Sequence, residues 1–112
     1  MYEPNIEALH RTTPEGNPDG GRTHLVGDTL PLLTVYWQQG PTVVDGEPIP
    51  RNGVFVEDLI AITIDRIEYY QRTKFCSVEN AIALGHLKAA AEALKVRTQL
   101  REARGVAGTH EV

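Results

Sequence analysis

The feature that most constrains the fold of this 112-residue chain is a long alanine-rich stretch near its C-terminal end. Apolar or small residues recur there at spacings of three and four, as the packed side of a helix requires. These residues are Leu84, Leu87, Ala91, Leu94 and Thr98. Ser77 is a suitable N-cap, and Gly105 is suited to the position after the last turn. These signals predict one helix of about 40 Å, given about 1.5 Å of rise per residue.

A second amphipathic helix is predicted just before it, from about Val56 to Arg72, because apolar residues again follow helical spacing. Glu57 and Asp58 fall in its first turn, where carboxylates favour the positive end of the helix dipole. Two consecutive helices joined by a short segment predict a helical hairpin. The longer second helix extends past the first, so its apolar stripe needs a partner, either a sheet or another subunit.

Residues 29–55 carry the signals of a small antiparallel β segment. Leu32 to Trp37 alternate two faces and are rich in β-forming residues, which predicts a strand. Gly40-Pro41 ends this strand, and Thr42 to Val44 resume extended structure. Asp45-Gly46 then favours a hairpin turn.

Two further segments flank these strands. After them, Asn52-Gly53 predicts a turn before a short edge strand at Val54 to Val56. Before them, residues 1–28 are polar and rich in turn formers, such as Asn17-Pro18-Asp19-Gly20, and are interpreted as a loop-rich arm. The chain is therefore predicted to be a single α+β domain of residues 1–112, with an arm at 1–28, a β segment at 29–55 and a helical hairpin at 56–112.

Composition argues against several classes of function. The net charge of -4 disfavours sequence-independent binding of DNA or RNA, and no apolar run approaches the roughly 18 residues of a membrane span. Cys76 is the only cysteine, which favours a reducing compartment, the bacterial or host cytoplasm. The histidines lack metal-ligand spacing, and Cys76 has no identifiable base. We therefore expect no metal, no cofactor and no enzymatic activity.

Basic residues are concentrated near the end of the long helix. Arg97, Arg101 and Arg104 are spaced four and three apart, so they share one side of a helix. Guanidinium groups bind phosphate oxygens bidentately, so this row suits a nucleotide. The alternative is that these cations complement the negative end of the helix dipole, and on spacing alone that alternative is favoured.

Tyr70 and Asn80 border the predicted hairpin turn. A tyrosine ring can stack on a base, and an amide can read the edge of a base or ribose. Taken singly, a core ring and a helix cap are the simpler interpretations. Asn80 and Arg97 are 17 residues apart, about 25 Å along one helix. One small ligand could contact both only if two chains packed antiparallel.

Several motifs together resemble a family of phage-encoded anti-defence sponges. These motifs are Asp65-Arg66-Ile67-Glu68-Tyr69-Tyr70-Gln71, Phe75, Glu79-Asn80-Ala81, Arg97-Thr98, Arg101 and Arg104-Gly105-Val106-Ala107-Gly108-Thr109-His110. Three segments ahead of the hairpin resemble the anti-Thoeris branch more than the shorter anti-CBASS branch. They are Leu33 to Trp37, Gly40-Pro41 and Asn52-Gly53-Val54. The resemblance covers about Leu30 to Val112.

The resemblance implies a ligand site and an assembly. Tyr70 would occupy the family's aromatic stacking position and Asn80 its polar reading position. Arg97 and Arg101 would contact phosphate, with Arg104 a weaker match. Members of this family bind cyclic nucleotide signals without cleaving them and assemble from dimers into hexamers.

The resemblance therefore leads us to expect a protein that sequesters a cyclic ADP-ribose isomer, glycocyclic ADP-ribose, and so blocks Thoeris defence. The nearest alternative is a sponge for the cyclic di- or trinucleotides of CBASS defence, which the same oligomer could also hold at a second site. A structural hairpin that only forms oligomers and a hydrolase of cyclic nucleotides are the remaining alternatives.

Overall fold

The computed structural model describes residues 2–9, 22–28, 31–105 and 108–109. Along these residues lie five strands and two helices. They are β1 (Ile6–Leu9), β2 (Arg22–Val26), β3 (Pro31–Tyr36), β4 (Val43–Val44), β5 (Glu47–Pro48), α1 (Val56–Gln71) and α2 (Val78–Ala103). The described residues form two compact units, one comprising residues 2–55 with 108–109 and the other residues 56–105. The predicted α+β class is confirmed, while the single-domain organisation stays a prediction.

The first unit contains a three-stranded antiparallel sheet in the order β1-β2-β3. β3 confirms the strand predicted from Leu32 to Trp37, but β1 and β2 lie in the segment interpreted as a loop-rich arm. That interpretation of residues 1–28 is wrong at both strands, because their backbone groups are satisfied by pairing with segments far along the chain, although β2 begins with three polar residues. The turn predicted at Asn17-Pro18-Asp19-Gly20 lies outside the described residues.

The two faces of β3 differ, as its alternation predicts. Val35 is 7% exposed, and it is the one buried hydrophobic side chain among the described residues. Its cross-strand partner is Thr23, whose hydroxyl accepts a 2.7 Å hydrogen bond from Trp37 Nε1. On the other face, His24 Nδ1 lies 2.9 Å from Thr34 Oγ1. Cross-strand pairs of this kind stabilise the sheet.

β4 and β5 form a separate short hairpin. Its turn confirms the one predicted at Asp45-Gly46, because φ is 51° at Asp45 and 78° at Gly46, the sign that a type I′ turn requires at both central residues. The antiparallel β segment predicted at residues 29–55 is present, but its strands belong to two sheets, since β3 pairs with β2 and not with β4. The Gly108 carbonyl accepts hydrogen bonds from the amides of Thr42 (2.7 Å) and Val43 (3.1 Å), so residues 108–109 also belong to this unit.

The segment ahead of α1 is held against the end of β3 by backbone bonds. Val54 forms a parallel bridge with Trp37. The edge strand predicted at Val54 to Val56 is therefore limited to one bridging residue, and Val56 already belongs to α1. A Cβ added to Gly53 would lie 2.4 Å from the Trp37 carbonyl carbon, so this close approach of two backbones requires glycine.

The second unit is the predicted helical hairpin. α1 begins at Val56 as predicted and ends at Gln71, one residue before the predicted end. α2 spans 26 residues against 16 in α1, and Ser77 caps it by accepting a 3.0 Å hydrogen bond from the Asn80 amide. Gly105 follows the C-cap with a φ of 74°, which confirms the predicted end of the helix.

The hairpin leaves much apolar surface uncovered. The predicted stripe of α2 is half-buried, yet neither helix contains a fully buried residue. Several large apolar side chains on the two helices are more than half exposed. They are Val56, Ile62, Val78, Ile82 and Leu100. Neither helix in the described part of the chain is long and apolar enough to cross a membrane.

Two glycines provide a matched pair of alanine substitutions. Gly53→Ala drives a methyl group into the Trp37 backbone, so it should lower the free energy of unfolding by about 1–3 kcal/mol or more. Gly85, inside α2, has no atom within 4 Å of an added Cβ, so Gly85→Ala should raise the free energy of unfolding by up to about 1 kcal/mol. Chemical denaturation of both variants measures these changes, and a Gly53→Ala protein as stable as the wild type would contradict the close packing.

Candidate functional site

The sequence-predicted site residues all lie in the second unit, at two separate places. Tyr70 and Asn80 flank the turn between the helices. Arg97, Arg101 and Arg104 lie near the other end of α2. The geometry of each group determines what it can bind.

Gln71 fixes the turn that separates Tyr70 from Asn80. Its Oε1 accepts a hydrogen bond from the Ser77 amide at 2.9 Å, and its Nε2 donates to the Ser77 carbonyl at 3.0 Å. One side chain therefore binds both backbone groups of the residue that caps α2. The Thr73 hydroxyl adds a bond to the Tyr70 carbonyl at 2.7 Å. These bonds hold the end of α1 and the first turn of α2 together.

Asn80 combines a structural role with unused hydrogen-bonding capacity. Its side-chain Nδ2 donates to the Phe75 carbonyl at 3.2 Å, which ties the turn to α2. Its Oδ1 and second amide hydrogen make no bond with a described residue. An amide in this state presents one donor and one acceptor side by side, the pattern that reads the edge of a base.

Tyr70 lies against another tyrosine and an arginine. Its ring centroid is 5.9 Å from that of Tyr69, with the rings tilted by 55°. Arg66, one helical turn earlier, donates from Nε to the Tyr70 hydroxyl at 3.1 Å and places its Cζ 4.9 Å from the ring centroid. This hydrogen bond is the main reason why the pKa of Arg66 is raised above its ordinary value. Tyr70 itself is half-buried, so part of its ring is accessible.

The three arginines occupy different positions at the end of α2. Arg97 is exposed, whereas Arg101 is half-buried and lies in the last turn, where a cation also complements the helix dipole. Arg104 is the C-cap residue, and its amide donates to the carbonyls of Leu100 and Arg101. The row predicted along one side of the helix therefore consists of two helical residues and one residue at the helix end.

The structure brings Tyr70 and Asn80 to one turn and keeps Arg97 away from both. α2 is continuous from Val78 to Ala103, so the 17-position separation of Asn80 and Arg97 spans about 25 Å. A single small nucleotide cannot bridge that distance on one chain. The two groups can share a ligand only if a second chain supplies one of them.

Two residues at this site are absent from the sequence-predicted set. Arg66 precedes Tyr70 by four positions, the spacing that places two side chains together on a helix. The sequence therefore already indicated a contact between these two residues. Gln71 bonds to Ser77 across the loop, which no helical spacing indicates. No cluster of three or more metal-ligating side chains occurs among the described residues.

Fold and site together define a class of protein: an α+β chain that carries aromatic, amide and arginine side chains on a helical hairpin. No family model matches the chain. Among curated proteins, the chain is similar to Thoeris anti-defense 1 of Bacillus phage SBSphiJ7, with 48% identity over 80 residues that cover 71% of this chain and 54% of the phage protein. The chain belongs to the anti-Thoeris family, which confirms the resemblance found in its sequence. It spans about half the length of this curated relative.

The Gln71 contacts predict a measurable effect on the hairpin. Gln71→Ala removes two hydrogen bonds to Ser77 and should lower the free energy of unfolding by about 2 kcal/mol, at about 1 kcal/mol for each bond. Gln99→Ala is the matched control, because Gln99 is exposed on α2 and the same atoms are removed. Chemical denaturation compares the two variants. Equal loss of stability in both would contradict the role assigned to Gln71.

Proposed function

We propose that this chain counteracts Thoeris defence by binding a cyclic ADP-ribose isomer, glycocyclic ADP-ribose, and sequestering it without cleavage. The observation that carries the proposal is the 48% identity to a phage protein named Thoeris anti-defense 1. The hairpin residues that match the family's ligand-binding positions support the same conclusion. Each of them has a side chain that can bind one part of a nucleotide. The protein acts in the cytoplasm of the bacterial host and needs no cofactor.

Each proposed contact matches a chemical feature of the ligand. Tyr70 stacks on a base, because its half-buried ring offers a flat apolar surface. Asn80 reads a polar edge through its unused donor and acceptor. Arg97 and Arg101, four residues apart on α2, bind the diphosphate, where guanidinium groups make paired charge-assisted hydrogen bonds. Arg104, at the helix end, adds positive charge beside them.

The proposed site is shared between two chains. Because about 25 Å of helix separates Asn80 from Arg97, the hairpin turn of one chain must meet the arginines of another. Exposed apolar residues on α2, such as Ile82 and Leu100, offer surface for such a contact. The functional form is a homo-oligomer. The family resemblance implies that it is a hexamer built from dimers.

The identity and fate of the ligand test this proposal directly. The protein is incubated separately with glycocyclic ADP-ribose and with cyclic di- and trinucleotides, freed of unbound ligand and then denatured, and the released molecule is identified by mass. Release of intact glycocyclic ADP-ribose is the expected result. Release of a cyclic oligonucleotide alone would favour the anti-CBASS alternative, and an altered molecule would indicate a hydrolase. No release from any candidate would favour a hairpin that only forms oligomers.

Substitution of the arginines separates ligand binding from a role in helix stability. Arg97→Ala and Arg101→Ala should each weaken binding of glycocyclic ADP-ribose about ten- to a hundredfold, since each removes charge-assisted hydrogen bonds to phosphate. Lysine at either position should restore only part of the affinity, because an ammonium group lacks the planar fork. Calorimetric titration measures these changes.

Lys95→Ala is the matched control for these variants, because Lys95 is an exposed cation on the same helix. It should bind like the wild type, and every variant should keep the oligomeric mass of the wild type. If all variants bind equally and the arginine variants only unfold more easily, Arg97 and Arg101 complement the helix dipole and do not bind phosphate.

A further inference from the structure

Arg66 makes a set of contacts that the predicted site residues do not account for. Its Cζ lies 4.9 Å from the ring centroid of Tyr70 and 5.0 Å from that of Tyr69. Its Nε donates to the Tyr70 hydroxyl at 3.1 Å. The two rings are 5.9 Å apart. Arg66, Tyr69 and Tyr70 thus form a compact cluster on the last two turns of α1.

We propose that Arg66 is a positioning residue for the ligand site, and that it holds the Tyr70 ring in the orientation that stacks on a base. This inference rests on the proposed function. A partly exposed tyrosine can adopt several side-chain rotamers, and only the fraction in the binding orientation is competent for stacking. The hydrogen bond at the hydroxyl and the guanidinium near the ring hold the side chain at two points. Arg66 therefore reduces the conformational entropy that the Tyr70 side chain loses when the ligand binds.

Arginine suits this role better than lysine does. A planar guanidinium can lie against an aromatic face and still donate a directed hydrogen bond from its edge. An ammonium group can do one or the other in this geometry. Arg66→Lys should therefore restore only part of what Arg66→Gln removes.

A simpler interpretation is that Arg66 only stabilises α1, since a contact between residues four apart strengthens a helix. That interpretation predicts a change in stability without a change in affinity. A third arrangement, in which Arg66 contacts phosphate itself, predicts a loss of affinity that does not depend on Tyr70. The three interpretations therefore differ in whether Arg66→Gln changes the affinity for the ligand, and in whether that change depends on Tyr70.

The experiment is a double-mutant cycle, read by calorimetric titration of glycocyclic ADP-ribose. Arg66→Gln should weaken binding about fivefold in the wild-type background, in line with the strength of a cation against an exposed ring. In the Tyr70→Ala background it should have no further effect, because no ring remains to be positioned. Arg72→Gln, an exposed arginine at the same end of the hairpin, is the matched control and should bind like the wild type.

A second measurement does not depend on ligand binding. In protein with isotope-labelled tyrosine rings, Arg66→Gln should shift and broaden the Tyr70 ring resonances of the free protein, and Arg72→Gln should leave them unchanged. Unchanged Tyr70 resonances in Arg66→Gln, or an equal loss of affinity in both Tyr70 backgrounds, would overturn the positioning role. Failure of the wild type to bind the nucleotide would instead overturn the proposed function, while the ring resonances would still report whether Arg66 orders Tyr70.

Discussion

The continuity of α2 is the constraint on which the proposed mechanism depends. Ser77 and Gly105 define its ends and no proline lies between them, so 26 residues form one unbroken helix. A rigid helix fixes the separation of Asn80 and Arg97 at about 25 Å. If both bind one nucleotide, the site must join two chains, and the exposed apolar residues of the hairpin provide surface for that contact. Ligand binding and oligomerisation are then thermodynamically linked, since a ligand held by two chains stabilises their association.

The parts of the fold that depend on local signals could be predicted from the sequence. Helical spacing and the caps at Ser77 and Gly105 predict the hairpin, and Asp45-Gly46 predicts a tight turn. β1 and β2 could not be predicted, because their stability comes from pairing with residues far along the chain and their polar residues are typical of loops. For the same reason the sequence predicted the strand β3 but not its partner.

In the candidate site, too, the features that depend on local sequence signals could be predicted and the others could not. The sequence places Tyr70 and Asn80 at one turn, because each lies at the end of a predicted helix. It does not reveal Gln71, whose bonds to Ser77 form only once the turn has closed. The contact between Arg66 and Tyr70 lies between these cases. Its four-residue spacing is visible in the sequence, but the sequence alone does not show that the guanidinium also reaches Tyr69.

The central claim, that each ligand site joins the turn of one chain to the arginines of another, is tested most directly by mixing two inactive variants. One carries Tyr70→Ala with Asn80→Ala, and the other carries Arg97→Ala with Arg101→Ala. After joint refolding, a mixed dimer contains one intact site and one doubly damaged site, so random pairing should restore about a quarter of the wild-type capacity for glycocyclic ADP-ribose. Each variant refolded alone should bind none at the same ligand concentration. If mass measurement shows mixed oligomers and the mixture still binds no ligand, the site is not shared between chains.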